Sequence, residues 1–121
     1  MSTRILVVED QEDNWRILRD LLSSVGYEIL EAVTGDEGVT LATTQHPDLI
    51  LMDIQLPGID GYEATRRIKA NPALAGIPII AVTSYALSGD EAKARAAGCD
   101  AYVAKPFSPR DLLAKIRSFL K

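Results

Sequence analysis

The chain has 121 residues, room for one domain with a core of ordinary size. It is 47% hydrophobic and 25% charged, and its net charge of −4 excludes the basic footprint of a nucleic-acid binder. No apolar run nears the ~20 residues that cross a bilayer, no secretory signal pattern opens the chain, and Cys99 is the only cysteine, so a cytoplasmic protein without membrane contact or intrachain disulfide is expected.

Short apolar runs alternate with helical patterns from end to end. Residues 4–8 (Arg-Ile-Leu-Val-Val) lack period-2 alternation, as expected of a strand buried on both faces. Residues 14–25 place Ile17, Leu18, Leu21, Leu22 and Val25 at helical spacing, and Gly26 supplies the stop. Glu28–Ala32 reads as a shorter, more polar edge strand, and Thr34–Thr44 as a weak helix ended by the turn His46-Pro-Asp48. His46 has no second histidine or cysteine nearby and is read as a surface residue. Leu49–Asp53, the most continuous apolar run, is expected at the centre of a sheet. A loop rich in turn residues, Gln55 to Gly61, follows, and Asp60 can cap a helix over 61–70.

The second half repeats this rhythm. Asn71-Pro72 and Gly76-Ile-Pro78 precede a strand over 79–83. Ser88 and Glu91 form a capping-box pattern for a helix over 87–97, whose apolar residues are mostly alanines (Ala92, Ala94, Ala96, Ala97) and which is therefore expected to be the least firmly docked. A strand over 101–104 leads to Lys105-Pro106, and Ser108-Pro109 opens a last helix with Leu112, Leu113, Ile116, Phe119 and Leu120 on its buried face. Five β–α units with short, right-handed connections predict an α/β fold with helices on both faces of a parallel sheet.

The chemistry lies at the strand ends. Glu9 and Asp10 end the first run, Asp53 the third and Thr83 the fourth, and Lys105 follows the fifth, so all five residues collect at the carboxyl edge, where open α/β sheets bind ligands. Three carboxylates crowded together raise one another's pKa unless a cation sits among them. Mg²⁺ needs only one or two of them, since it keeps several waters. A carboxylate nucleophile, a hydroxyl and an ammonium beside such a cation are the parts for phosphoryl transfer to an aspartate. Two other chemistries fit less well. An aspartate-nucleophile phosphatase of the haloacid-dehalogenase type wants a second Asp where Gln55 stands, and a flavin-binding loop would not read Glu9-Asp-Gln-Glu-Asp13.

At these residues the chain resembles the receiver domains of bacterial two-component signalling. The motifs are Val8-Glu-Asp10, Leu51-Met-Asp-Ile-Gln-Leu-Pro-Gly-Ile-Asp-Gly61, Val82-Thr-Ser84, Gly98-Cys-Asp-Ala-Tyr102 and Lys105-Pro106-Phe107, spread over essentially the whole chain. The resemblance implies a flavodoxin-like (βα)5 doubly wound sandwich with strand order 2-1-3-4-5. It also implies phosphorylation at Asp53 and Mg²⁺ held by Glu9, Asp10, Asp53 and the backbone carbonyl of Gln55. Lys105 would pair with a phosphoryl oxygen or with Asp53, Thr83 and Tyr102 would form a switch pair, and the Lys105–Pro106 bond would be cis. Met52-Asp-Ile-Gln-Leu-Pro57 and Gly89-Asp-Glu91 look most like DivK-type single-domain regulators, a stand-alone receiver over residues 1–121 with no output domain. Tyr85, two past Thr83, departs from the small residue usual there and bears on the lifetime of the phosphoryl state.

The expected partners are a histidine kinase or histidine phosphotransfer protein and a downstream target protein. The protein itself would be no enzyme, only a phosphoacceptor that assists its own phosphorylation and dephosphorylation. Trp15, which breaks the apolar stripe beside Asn14, is expected to be exposed and to mark a docking surface near the active edge with Asn14 and Pro106. A monomer or weak homodimer is expected, the latter paired through Lys93, Arg95, Asp100, Arg110 and Asp111.

Overall fold

A computed structural model describes residues 3–83 and 90–120. The elements run β1 (Arg4–Val8), α1 (Glu12–Ser24), β2 (Glu28–Ala32), α2 (Gly35–Gln45), β3 (Leu49–Asp53), α3 (Gly61–Ala70), β4 (Ile79–Thr83), α4 (Asp90–Ala97), β5 (Ala101–Ala104) and α5 (Pro109–Phe119). All strand pairings are parallel, in the order β2-β1-β3-β4-β5. This is the flavodoxin-like order expected from the sequence. The chain reverses its winding between β1 and β3, which opens a crevice at their carboxyl ends.

Successive residues of a strand point to opposite faces, and here both faces are covered. Leu6, Val8, Ile50, Met52, Ile79 and Ala81 turn towards Ala42 of α2, Ala64 and Ile68 of α3 and Ala94 of α4. Ile5, Val7, Leu49, Leu51, Ile80 and Val82 turn towards Leu18 and Leu22 of α1 and Leu112 and Ile116 of α5. Every residue of β3 and β4 is buried, whereas β2 exposes Glu28 and Glu31 at the sheet edge. Double burial is why the central strands read as unbroken apolar runs.

Side-chain caps set three helix starts. Thr34 Oγ1 accepts from the Glu37 amide at 3.0 Å, Asp60 Oδ1 from the Glu63 amide at 2.9 Å, and Ser108 Oγ from the Asp111 amide at 3.4 Å, with Pro109 at the first helical position. Each such cap contributes about 1 kcal/mol.

Two expectations about helix faces are corrected. In α1 the buried stripe is Leu18 and Leu22, with Trp15 and Leu21 packed beside them, while Ile17 is 58% exposed and Val25 39%. At about 100° per residue, Trp15 lies about 60° from Leu18 and on the side of Leu22, whereas Ile17 is turned about 100° the other way. Val25 follows the last helical residue and serves as the C-cap. The indole is thus half-buried, its N–H has no acceptor among the described residues, and the Arg19 guanidinium lies 5.1 Å from the ring centroid. Of the alanines of α4, Ala94 and Ala97 are buried, and Ala92 and Ala96 face solvent. Ser88, Gly89 and the first part of the helix expected over 87–97 lie outside the described residues, as does Tyr85.

Candidate functional site

Three carboxylates meet at the carboxyl edge. Glu9 is placed by its amide, which donates to the Ala32 carbonyl at 2.9 Å, so β1 pairing continues one residue past the strand. Asp53 is the last residue of β3, in register with Val82 of β4. Glu9, Asp10 and Asp53 each bring an oxygen within 4.8 Å of the others. Glu9 is 2% exposed and Asp53 6%, while Asp10 stands in solvent at the rim.

Lys105 closes the site from the far side. Its amide donates to the Thr83 carbonyl at 2.7 Å, and the Lys105–Pro106 bond that follows is cis, as expected. The ammonium lies 2.7 Å from Glu9 Oε1 and 3.6 Å from Asp53 Oδ2. Its short contact is therefore with Glu9, and Asp53 is the looser partner. The Gln55 amide donates to Asp53 Oδ1 at 3.1 Å and the Gln11 amide to Glu9 Oε2 at 3.3 Å.

These contacts divide the two buried acids. Burial raises the pKa of Asp53, the adjacent Glu9 adds to the rise, and Lys105 and the Gln55 amide only partly oppose it, so the carboxyl is pushed up to about 7. Burial acts on Glu9 as well, but its bonds to Asp53 and Lys105 outweigh it and hold its pKa below the ordinary value. Of the two, Asp53 is the acid whose protonated form the site favours. A hard divalent cation would remove the need for that proton, and the donor set fits one: carboxylate oxygens close together, with Asp10 open to solvent.

Thr83 is 2% exposed at the end of β4, one residue past the partner of Asp53. Tyr102 pairs with Ala81 and Thr83 with Ala104, so by strand alternation both side chains lie on the sheet face that carries α3 and α4. Tyr102 packs against that core, and its carbonyl accepts from Lys115 Nζ at 3.3 Å.

The tentative docking residues separate. Asn14 and Pro106 line an apolar cavity of about 510 Å³ between α1 and the start of α5, together with Ile17, Leu18, Lys105, Phe107 and Pro109. Trp15 is not among its walls, being turned towards the other flank of α1. Ile17, assigned to the core by periodicity, is instead an exposed wall of this cavity. The ions suggested for a dimer interface are partly engaged within the chain, Asp100 with Lys69 at 3.0 Å and Arg95 with Glu91 at 3.3 Å. Among the described residues no helix is long and apolar enough to cross a membrane.

A doubly wound sheet with three acids and a lysine at its carboxyl edge defines a class, and comparison with known proteins agrees with it. The response regulator receiver domain model matches residues 5–117, and the chain belongs to that family. It is 45% identical over 120 residues to the polar-differentiation response regulator DivK of Brucella ovis, covering 99% of this chain and 98% of that protein. Among solved structures it is similar to the receiver domain of a sensor histidine kinase from Pseudomonas aeruginosa, which has a magnesium ion coordinated in its active-site cleft (38% identity, TM-score 0.93, 99% and 98% of the two chains). It is also similar to a CheY-like receiver domain protein from Methanospirillum hungatei (37% identity, TM-score 0.90, 99% and 94%).

Proposed function

We propose that the protein is a cytoplasmic response regulator that accepts a phosphoryl group on Asp53 from a histidine kinase or histidine phosphotransfer protein and signals by protein contact. The observation that carries this reading is the placement of Asp53: nearly buried at the end of a fully buried central strand, within 4.8 Å of two other acids and 3.6 Å from a lysine ammonium. A Mg²⁺ ion held by Glu9, Asp10, Asp53 and the Gln55 carbonyl would neutralise the acids and the incoming phosphoryl oxygens.

Asp53 attacks phosphorus with one carboxylate oxygen. A P–O bond forms there as the P–N bond to the donor histidine breaks, and the imidazole leaves with its electron pair. The Gln55 amide keeps Asp53 Oδ1 oriented, which leaves Oδ2, on the Lys105 side, for the attack. Lys105 would then pair with a phosphoryl oxygen, and the Thr83 hydroxyl would donate to another. Movement of Thr83 makes room on the face it shares with Tyr102, and that couples the site to α4 and β5. The cavity lined by Asn14, Ile17, Pro106 and Phe107 flanks Lys105 and offers an apolar seat for the partner that carries the donor histidine. The protein turns over no substrate of its own beyond assisting gain and loss of its phosphoryl group. Incubation with acetyl phosphate, with Mg²⁺ or with a chelator, tests the reading. A one-phosphoryl mass increase is expected only with the metal, and no increase under either condition would contradict it.

A further inference from the structure

Gly61, the first residue of α3, stands against the peptide that carries the phosphoacceptor. A Cβ built on it would overlap the Asp53 carbonyl oxygen and come within 2.7 Å of Ile54 Cα and 3.0 Å of the Asp53 carbonyl carbon. All of these are backbone atoms, so no change of rotamer relieves the overlap. Nor does the glycine serve a left-handed turn, since among the described residues the positive-φ glycines are Gly26, Gly58 and Gly98. What excludes a side chain at position 61 is this close approach.

The backbone of Ile54, the residue after Asp53, is held on both sides. The Gly61 amide donates to the Ile54 carbonyl at 2.9 Å, and the Ile54 amide donates to Val82 of β4 at 3.1 Å. Asp60 caps the first turn of α3 through the Glu63 amide. The start of α3 therefore presses the Asp53–Ile54 backbone against β4, immediately next to a carboxylate whose distances to Lys105, Glu9 and Asp10 define the site.

We propose that Gly61 is a positioning residue for Asp53, its missing side chain letting α3 hold the phosphoacceptor carboxylate at the geometry that binds the divalent cation and meets the phosphoryl donor. The inference rests on the function proposed above but is read out separately from it. Alanine at position 61 favours the helix by propensity, yet it must displace either α3 or the Asp53 peptide. Displacements of this size next to a reacting or ligating group cost tenfold or more in rate and in metal affinity, as order-of-magnitude expectations.

The test uses the full chain as wild type, Gly61→Ala and Gly98→Ala. A Cβ at Gly98 meets the flexible Lys69 side chain at 2.9 Å, and the positive φ there makes the change destabilising at the opposite edge of the sheet. Each protein is melted, titrated with Mg²⁺ by calorimetry, and phosphorylated with acetyl phosphate. Folded Gly61→Ala is expected to bind Mg²⁺ about tenfold more weakly and to be phosphorylated more slowly, with Gly98→Ala keeping the wild-type Kd despite a lower Tm. Wild-type Mg²⁺ affinity in Gly61→Ala, or an equal loss in Gly98→Ala, would overturn the proposal. If Gly61→Ala does not fold, Asp60→Ala decides, because it loosens the same turn without adding an atom. A weaker Mg²⁺ Kd in it supports the proposal and an unchanged one overturns it. Wild type that binds Mg²⁺ but takes no phosphoryl group would sink the functional reading alone.

Discussion

Replacing Asp53 by Asn should stabilise the metal-free protein, and the size of the gain follows from the site. A carboxyl at about 7 in the folded chain against an ordinary 3.8 corresponds, at 1.36 kcal/mol per pH unit, to about 4 kcal/mol above both values. Glu9, held low by the same contacts, returns part of this, so about 2 to 4 kcal/mol is expected. For a domain of this size that is a rise in Tm of about 10 °C. The sign follows from proton binding. The folded pKa lies above the unfolded one, so the wild type binds an extra proton on folding between about pH 4 and 7 and loses stability as pH rises through that window. The advantage of Asn should therefore be fully present near pH 8 and shrink as pH falls towards 4. Thermal melts of both proteins in chelator across this range measure it. Mg²⁺ should narrow the gap at high pH by stabilising the wild type. Equal melting temperatures near pH 8, or a gap constant down to about pH 5, would refute the placement of a buried carboxyl of raised pKa at position 53.

Other changes have separate readouts. Asp10→Asn removes the solvent-facing carboxylate of the acid cluster, so calorimetric Mg²⁺ affinity and phosphorylation rate should fall together while the fold is retained. Thr83→Ala should still accept the phosphoryl group but show smaller beryllofluoride-induced amide shifts across residues 90–107 than the wild type, as the proposed coupling of Thr83 to Tyr102, a biased two-state equilibrium, requires. Ser108→Ala removes the cap on the Asp111 amide and should lower unfolding free energy by about 1 kcal/mol in urea titrations, with Mg²⁺ affinity unchanged.

The architecture was legible wherever one physical rule decided it. Strands buried on both faces are continuous apolar runs, and β3 and β4 are buried throughout. Helix starts at Thr34, Asp60 and Ser108 are written in residues that cap by their own side chains. The meeting of Glu9, Asp10, Asp53 and Lys105 followed from parallel strands alone, since their carboxyl ends share an edge. Tertiary choices were harder to read. Trp15 took a half-buried place that periodicity assigned to Ile17, because the face α1 buries depends on what the sheet offers and not on spacing alone. Lys105 lies nearer Glu9 than Asp53, a preference that the order of strand ends alone does not decide. The contact of Gly61 with the Asp53 backbone left only a glycine after a capping aspartate as its trace in the sequence.

The central claim is that Asp53 forms an acyl phosphate, and chemical mapping tests it most directly. Borohydride reduces an aspartyl phosphate to homoserine, so the protein is phosphorylated with acetyl phosphate and Mg²⁺, reduced, digested and read by peptide mass spectrometry. Homoserine is expected at position 53 and at no other aspartate, and it should vanish when the metal is chelated. Homoserine at Asp10, the corresponding reduced residue at Glu9, or no reduced residue in a protein that has gained the phosphoryl mass would contradict the account.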